Sequence, residues 1–400
     1  MEKPILYPKY SNNIKIVRAD GFYLYDENNK KYIDLTASAG VVNVGYNNAE
    51  IKEEMKKQME RLIFSPQTCR TNEAEDLAER IYGLFPKELN TILKAATGSE
   101  SVEIAMKMAK LNTKRDRFMS FDHSYHGHTI ATLSLGNEDF LRKEFKTNFP
   151  KVKIITPPYL LKIKGDLGDK CKETLKIIEK NFKRQDYAAF ITEGMLTSAG
   201  CLMFNIDFFQ SLSKLCKKYG VLLIFDEVLT GFGRTGKMFS FEHFDIVPDI
   251  VCISKGLGSG YVSIASVITK EHIGKGFDYF STYAWTPLAC SASNKNIEII
   301  LRNNLVNNSR DLGEHAIKRL KSELAEKYVA DIRGIGLEIG IELSPLCNVD
   351  DVVKLCADDG VFLSKADLPN TFLIHPPLNI NKAVLDESLN VLIKIIIKNN

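Results

Sequence analysis

An aspartate and a lysine stand out, each delivered by an apolar run. VLLIFDE carries Asp226 and Glu227 at its end, and DIVCISKG carries Lys255, 29 residues beyond Asp226. A lysine at a strand end is ordinarily solvated. Lys255 differs because apolar residues precede it and small ones follow, leaving room beside its amine. A partly desolvated lysine, or one near another cation, becomes a neutral nucleophile able to form an imine. A carboxylate nearby supplies the complement: it keeps a pyridine nitrogen protonated, so that the ring accepts electrons.

A third segment, TILKAATGSESVEIAMKMAK, reads as a strand, a glycine-containing turn and a helix with Val102, Ala105 and Ala109 on one face. A helix N-terminus offers unpaired N–H groups and the positive end of the dipole to a phosphate. Gly98 allows close backbone approach, and Thr97, Ser99 and Ser101 bring hydroxyls. Taken alone, the segment reads more readily as an ordinary helix start, with Thr97 and Glu100 in a capping box. KGLGSG is equally weak alone, because its glycines follow the lysine, the reverse of a Walker A loop. His123, His126 and His128 form H-x-x-H-x-H, but no Cys or further His lies at ligand spacing, and no metal site is expected. Glu242 and His243 are expected to support the loop after GFGRTG rather than to act as an acid–base pair.

These residues need elements to hold them. Residues 14–35 alternate as a β-meander around an Asp-Glu-Asn-Asn turn. From Ala49 a helix follows, with Ile51, Met55 and Met59 spaced along one face. Seven apolar runs then alternate with amphipathic helices: TILKAA, DRFMSF, VKIIT, AAFITE, VLLIFDE, DIVCIS and ASVIT. That alternation predicts an α/β fold with a mainly parallel seven-stranded sheet covered on both faces. In such sheets ligands gather at the carboxyl ends of the strands. The expected division is an N-terminal segment over 1–48, a large domain over 49–290 and a smaller α+β domain over 291–400. The N-terminal segment is expected to join the smaller domain.

With 400 residues, 44% hydrophobic and 26% charged, the chain has the composition of an ordinary soluble enzyme, large enough for two domains. A net charge of +3, spread along the sequence, argues against a nucleic-acid or membrane surface. The eight cysteines include no CxxC pair and read as reduced thiols. MEKPILYPKYSNN lacks the apolar stretch of a signal peptide, and no run approaches a membrane helix. A cytoplasmic, soluble protein is expected.

Several motifs in one order carry a resemblance. LLIFDEVLTGFGRTG…PDIVCISKG resembles the D-E-V-x-T-G-F-G-R-T-G, P-D-I and lysine of the class III aminotransferases, fold-type I pyridoxal phosphate enzymes. ATGSESVE resembles their phosphate turn, FDHSYHGHT their Y-H-G segment, and STYAWTPLACSA their T-Y/F-x-G-N-P-L-A segment. RGIGLEIGIEL and PPLNI match later landmarks, and the likeness runs from about 18 to 380. The resemblance implies pyridoxal 5'-phosphate as cofactor, with Lys255 as its Schiff-base lysine and Asp226 on the pyridine nitrogen. It further implies Tyr125 on one ring face, Val228 on the other, Gly98 and Ser99 on the phosphate, and Thr282 reaching the partner subunit's phosphate. The active form would be a homodimer with shared sites, moving an amino group from an amine or amino acid to a 2-oxo acid by double displacement. Racemases and aminomutases on the same scaffold, and a non-catalytic descendant, are the alternatives.

The departures bear on substrate. Leu373 stands where members that bind a carboxylate have Arg, Ser198 where they have the gating Glu, and His128 where many have a further Arg. Losing both partners of a buried Arg–Glu pair is physically coherent, since either alone would be an unpaired charge. Leu229 replaces a Gln found near the cofactor's phenolic oxygen, and Gly194 a Pro. Trp285 and Thr286 replace Gly-Asn, which is expected to narrow the wall near the phosphate. Arg70, Glu193 and His128 are the candidate substrate contacts.

Overall fold

The computed structural model describes residues 14–136, 149–161 and 166–398. The stretch read for a signal peptide, 1–13, lies outside them.

The chain opens with β1 (Ile16–Asp20), β2 (Tyr23–Asp26) and β3 (Lys31–Asp34), an antiparallel meander. Helices α1 (Ala49–Arg61) and α2 (Asn72–Tyr82) follow. The expected apolar stripe on α1 is displaced. Ile51 is buried, but Met59 is 46% exposed and Gln58 takes the inner position. At 100° per residue, i+7 stays nearer the face of residue i than i+8 does.

Then come β4 (Thr91–Ala95), α3 (Gly98–Thr113), β5 (Arg117–Phe121), β6 (Lys151–Ile155), α4 (Leu167–Phe182), β7 (Tyr187–Thr192), α5 (Ile206–Tyr219), β8 (Leu222–Asp226), β9 (Ile250–Ile253) and β10 (Ala265–Thr269). The seven strands form one sheet in the order β4-β10-β9-β8-β7-β5-β6. Neighbours are parallel except β10, which runs antiparallel to both β9 and β4. Two reversals restore β4 to the common direction, so its carboxyl end lies on the same edge as those of β8 and β9. Side chains alternate across the sheet: Leu223 and Phe225 join the core that contains Phe209 and Leu212 of α5, while Ile224 joins Val102, Ala105 and Ala109 of α3.

The chain continues through α6 (Pro287–Arg302), α7 (Leu305–Glu323), β11 (Val329–Gly334), β12 (Ile339–Leu343), α8 (Val349–Asp358), β13 (Val361–Phe362), β14 (Ser364–Lys365), β15 (Thr371–Ile374) and α9 (Lys382–Lys398). β13 pairs in parallel with β3, so residues far apart in sequence share the first sheet; the third runs β11-β12-β15-β14. Buried Arg234 ties these parts together. Its guanidinium donates to the carbonyls of Leu337 and Pro376 and to Asn43 Oδ1. Among the described residues no helix is long and apolar enough to cross a membrane.

Between β3 and α1 the backbone coils the wrong way. Ala37, Ser38, Ala39 and Gly40 have φ of 41°, 50°, 61° and 71°. Gly40 N–H donates to Thr36 O at 2.9 Å and Val41 N–H to Ala37 O at 2.8 Å, closing a left-handed turn. A polar chain braces it. Asp34 accepts from Thr36 N–H and Tyr46 O–H, and the Tyr46 and Ser38 hydroxyls lie 2.8 Å apart.

Candidate active site

The carboxyl edge of the seven-stranded sheet encloses a cavity of about 170 Å³. Five segments line it: Gly98 and Ser99 at the start of α3, Tyr125 to Gly127 after β5, Glu193 with Thr197 and Ser198 after β7, Asp226 with Val228 and Leu229 after β8, and Ser254 and Lys255 after β9.

Asp226 and Lys255 converge because β8 and β9 are adjacent and parallel, with Asp226 opposite Cys252 and Lys255 three residues further on. Asp226 is 3% exposed and both its oxygens are engaged. Oδ1 accepts from Val228 N–H at 2.9 Å, and Oδ2 lies 2.7 Å from His126 Nδ1. Lys255 has φ of 27°, a left-handed conformation rare for a lysine. Burial holds its amine below the ordinary lysine value, with Arg234 adding to that; Asp226, Glu193 and Glu338 oppose it.

Glu193 is the second buried carboxyl in the cavity. Oε2 accepts from Thr197 N–H at 3.2 Å and Thr197 Oγ1–H at 2.5 Å, while Oε1 has no hydrogen-bond partner among the described residues. Burial pushes its pKa up to about 7, with Asp226 acting the same way and His126 and Thr197 against it. Glu227, next to Asp226, turns away from the cavity. It accepts from Thr230 and Ser240 hydroxyls and from the Ser240 and Phe241 N–H groups, bracing the loop.

The start of α3 combines two roles. Thr97 Oγ1 accepts from Glu100 N–H at 3.2 Å and caps the helix, while Glu100 reaches back one residue past the cap to Ala96 N–H. Thr97 and Ser101 are spent within the helix, Ser101 Oγ–H donating to Gly98 O. Gly98 and Ser99 still open onto the cavity. A Cβ at Gly98 would sit 2.9 Å from Val228 Cγ1, and one at Gly127 2.2 Å from Ser99 Oγ. The two glycines therefore let backbone and hydroxyl come close to whatever the cavity holds. A phosphate-bearing pyridine fits this donor set: N–H groups at a helix start, a carboxylate, an amine and unfilled polar atoms at His126 Nε2 and Glu193 Oε1.

The remaining expected residues lie elsewhere. Arg70 does not join the cavity; its exposed guanidinium pairs with Glu75 at 2.5 Å, as an arginine on a solvated helix start does. His128 is exposed, its ring 5.4 Å from that of Tyr125, and does not line the cavity. Thr282 is exposed at the surface, its carbonyl accepting from Gln67. Trp285 does not narrow the cavity wall: it is 3% exposed and its indole N–H donates to Ala265 O, a core position. Leu373 packs with Met195 and Cys201. His126, which in sequence stands out only as part of H-x-x-H-x-H, joins the site; its place directly after Tyr125 is the signal for that role. His243 Nε2 lies 3.1 Å from both the carbonyl and the hydroxyl of Thr235, and Glu242 accepts from Phe239 N–H, supporting the loop as expected.

A sequence profile of the family described as aminotransferase class III matches residues 6–396. The chain is 32% identical over 396 residues to acetylornithine aminotransferase of Archaeoglobus fulgidus, covering 98% of both. It is 32% identical over 405 residues to adenosylmethionine-8-amino-7-oxononanoate aminotransferase of Staphylococcus aureus, covering 93% of this chain and 89% of that one. Among solved structures, an amine transaminase from an uncultivated Pseudomonas species in its PLP-bound form superposes with a TM-score of 0.93 at 25% identity, covering 100% of each chain.

Proposed function

Because the chain belongs to the class III aminotransferases and is a pyridoxal-phosphate-dependent enzyme of fold type I, we propose that Lys255, Asp226 and His126 are the working core of its amino-group transfer. The relatives named above are all aminotransferases, and none supports the racemase, aminomutase or non-catalytic alternatives. The observation that carries the assignment is the convergence of the Lys255 amine and the His126–Asp226 pair on one cavity from adjacent strand ends.

Bound pyridoxal phosphate supplies an electron-accepting ring and a carbon that exchanges amino groups. Gly98 and Ser99 hold the phosphate at the start of α3, and Thr282 of a second copy completes that contact. Asp226 holds a proton at the ring nitrogen. His126 fixes the aspartate's orientation, and Tyr125 and Val228 confine the ring between them. Lys255 is the attachment point. With the cofactor bound and a donor amine in its place, the freed Lys255 amine would be the base that takes the proton from the donor's Cα and passes it on. Burial favours the neutral amine this needs.

A homodimer is supported by the surface around Thr282. Phe280 and Tyr283 are 65% and 71% exposed, and Ile63 and Phe64 stand exposed beside them, with the Phe64 and Tyr283 rings 5.6 Å apart. Apolar surface of this kind marks an interaction site. The reduced, mostly buried cysteines accord with a cytoplasmic location.

For the donor, we favour a primary amine or an amino compound whose carboxylate is not read at position 373. Leu373 is 5% exposed beside Met195 and Cys201, and Cys201 Sγ lies 3.8 Å from the buried Glu338 carboxylate. A buried apolar side chain outside the cavity lining, with an acid near it, offers a substrate carboxylate no partner. Mixing the holoenzyme with a panel of amines and amino acids, and following loss of the cofactor's visible band and appearance of pyridoxamine phosphate, tests both levels. Acetylornithine, ornithine or 4-aminobutyrate as the best donor would overturn the substrate reading, and the absence of any donor would overturn the enzymatic one.

A further inference from the structure

Resting on the cofactor reading above, pyridoxal phosphate has four polar groups to satisfy: ring nitrogen, phosphate, carbonyl carbon and phenolic oxygen. Asp226, the start of α3 and Lys255 account for three. The usual candidate for the fourth is absent, because Leu229 is apolar and lies against the left-handed turn, where a Cβ on Gly40 would meet Leu229 Cγ at 3.1 Å. One acidic oxygen in the cavity is correspondingly idle, Glu193 Oε1.

Strand order supports matching the two. On the ring, the phosphate arm and the phenolic oxygen lie on opposite sides of the line from the nitrogen to the carbonyl carbon. In the sheet, β9 and β8 bring Lys255 and Asp226; β4 and the phosphate turn lie beyond β9, and β7 with Glu193 lies beyond β8. The two arrangements correspond. We propose that Glu193 is a cofactor-binding residue whose Oε1 carries a proton and donates it in a hydrogen bond to the phenolic oxygen, the contact that Leu229 cannot make.

The surroundings favour the neutral form. Burial and Asp226 both raise Glu193, and the phenolic oxygen's negative charge acts in the same direction. Against them stand the two Thr197 donors and His126 from the segment after β5. Lys255, after β9, and Cys201, further along the same loop, are the other titratable groups that face it. Asp226 cannot take the neutral role, since Val228 N–H and His126 already engage its two oxygens.

The test is the absorption spectrum of the purified holoenzyme across pH ~5.5 to 9, for wild type, Glu193→Gln and Glu193→Ala. Glutamine keeps a donor but cannot ionise. The wild-type band should change shape through a titration that the Gln variant lacks, and Gln should hold the low-pH wild-type spectrum throughout. The Ala variant should shift the band at every pH and retain pyridoxal phosphate at least tenfold less tightly. If Glu193 only braces Thr197, Ala lowers the melting temperature while the bound-cofactor spectra of both variants match wild type, which overturns the proposal. A wild-type protein that binds no pyridoxal phosphate overturns the cofactor reading as well; coloured wild type with spectrally silent variants overturns this inference alone.

Discussion

Replacing Asp226 by Asn tests the centre of the site with one oxygen-for-nitrogen exchange. Asp226 receives two donors, Val228 N–H at 2.9 Å and His126 Nδ1 at 2.7 Å. An amide can accept only one of them. With its oxygen kept toward Val228, its NH2 group faces His126, whose Nδ1 must then become the acceptor and send its proton to the unpartnered Nε2. The fold survives that change of tautomer; the chemistry does not. The full negative charge opposite the ring nitrogen is gone, and a charge-assisted hydrogen bond contributes about 1.5–3 kcal/mol. We expect kcat to fall at least about 100-fold, which corresponds to roughly 2.7 kcal/mol of barrier. The assay is single-turnover decay of the cofactor band with any active donor, with a melting curve to show that the variant is folded. Removing the neighbouring charge should also lower the pKa of Glu193, because Asp226 is one of the groups raising it. Turnover within about threefold of wild type, roughly 0.7 kcal/mol, would refute the role assigned to Asp226.

Four further outcomes follow from the same geometry. Borohydride reduction and peptide mapping should find the cofactor on Lys255, and Lys255→Ala should keep some cofactor through the phosphate contacts while losing turnover; label on another lysine would be fatal to the assignment. Gly98→Ala places a methyl 2.9 Å from Val228 Cγ1 and should weaken cofactor binding by an overpacking cost of about 1–3 kcal/mol, measured as the pyridoxal phosphate Kd. In cofactor-free protein, Glu193 binds its proton more tightly folded than unfolded, since burial raises it from 4.5 to about 7. Its contribution is therefore intact below pH 4.5 and lost as pH rises through about 7, so Glu193→Gln should gain on wild type by up to ~3 kcal/mol between pH 5 and 8 in denaturant melts. Mixed dimers of Lys255→Ala and Thr282→Ala subunits should collect both lesions in one site and leave the other active; a fully active monomer in sedimentation would exclude sharing.

Much of this architecture was legible because buried parallel strands announce themselves as apolar runs. All seven runs became strands of one sheet, and the apolar stretches ahead of Asp226 and Lys255 put both at its carboxyl edge. The contacts between segments were less accessible. His126 and Asp226 are 100 residues apart, and only the neighbourhood of β5, β7 and β8 brings them to 2.7 Å. Residue type at position 285 does not reveal direction: the Trp285 indole is buried in the core, its N–H on Ala265 O, instead of at the cofactor wall. Arg70 has its charge and an expected place near the entrance to recommend it, but it pairs at the surface with Glu75, five residues away on the first turn of α2. The left-handed turn at Ala37–Gly40 left no mark, since alanine and serine do not favour that conformation and Asp34 and Tyr46 impose it from outside.

That turn reverses a familiar rule of protein engineering. In a right-handed helix alanine tightens the backbone and glycine loosens it; in its mirror image every Cβ crowds the following carbonyl, at roughly 1–2 kcal/mol per residue. Ala37, Ser38 and Ala39 are thus each worse than glycine for their own backbone, and the turn that brings Gly40 against Leu229 persists because a neighbouring aspartate and tyrosine hold it in place. Its shape is borrowed. Mutational drift there is channelled toward glycine, asparagine and aspartate, the residues tolerant of that handedness, while β-branched side chains are shut out by geometry.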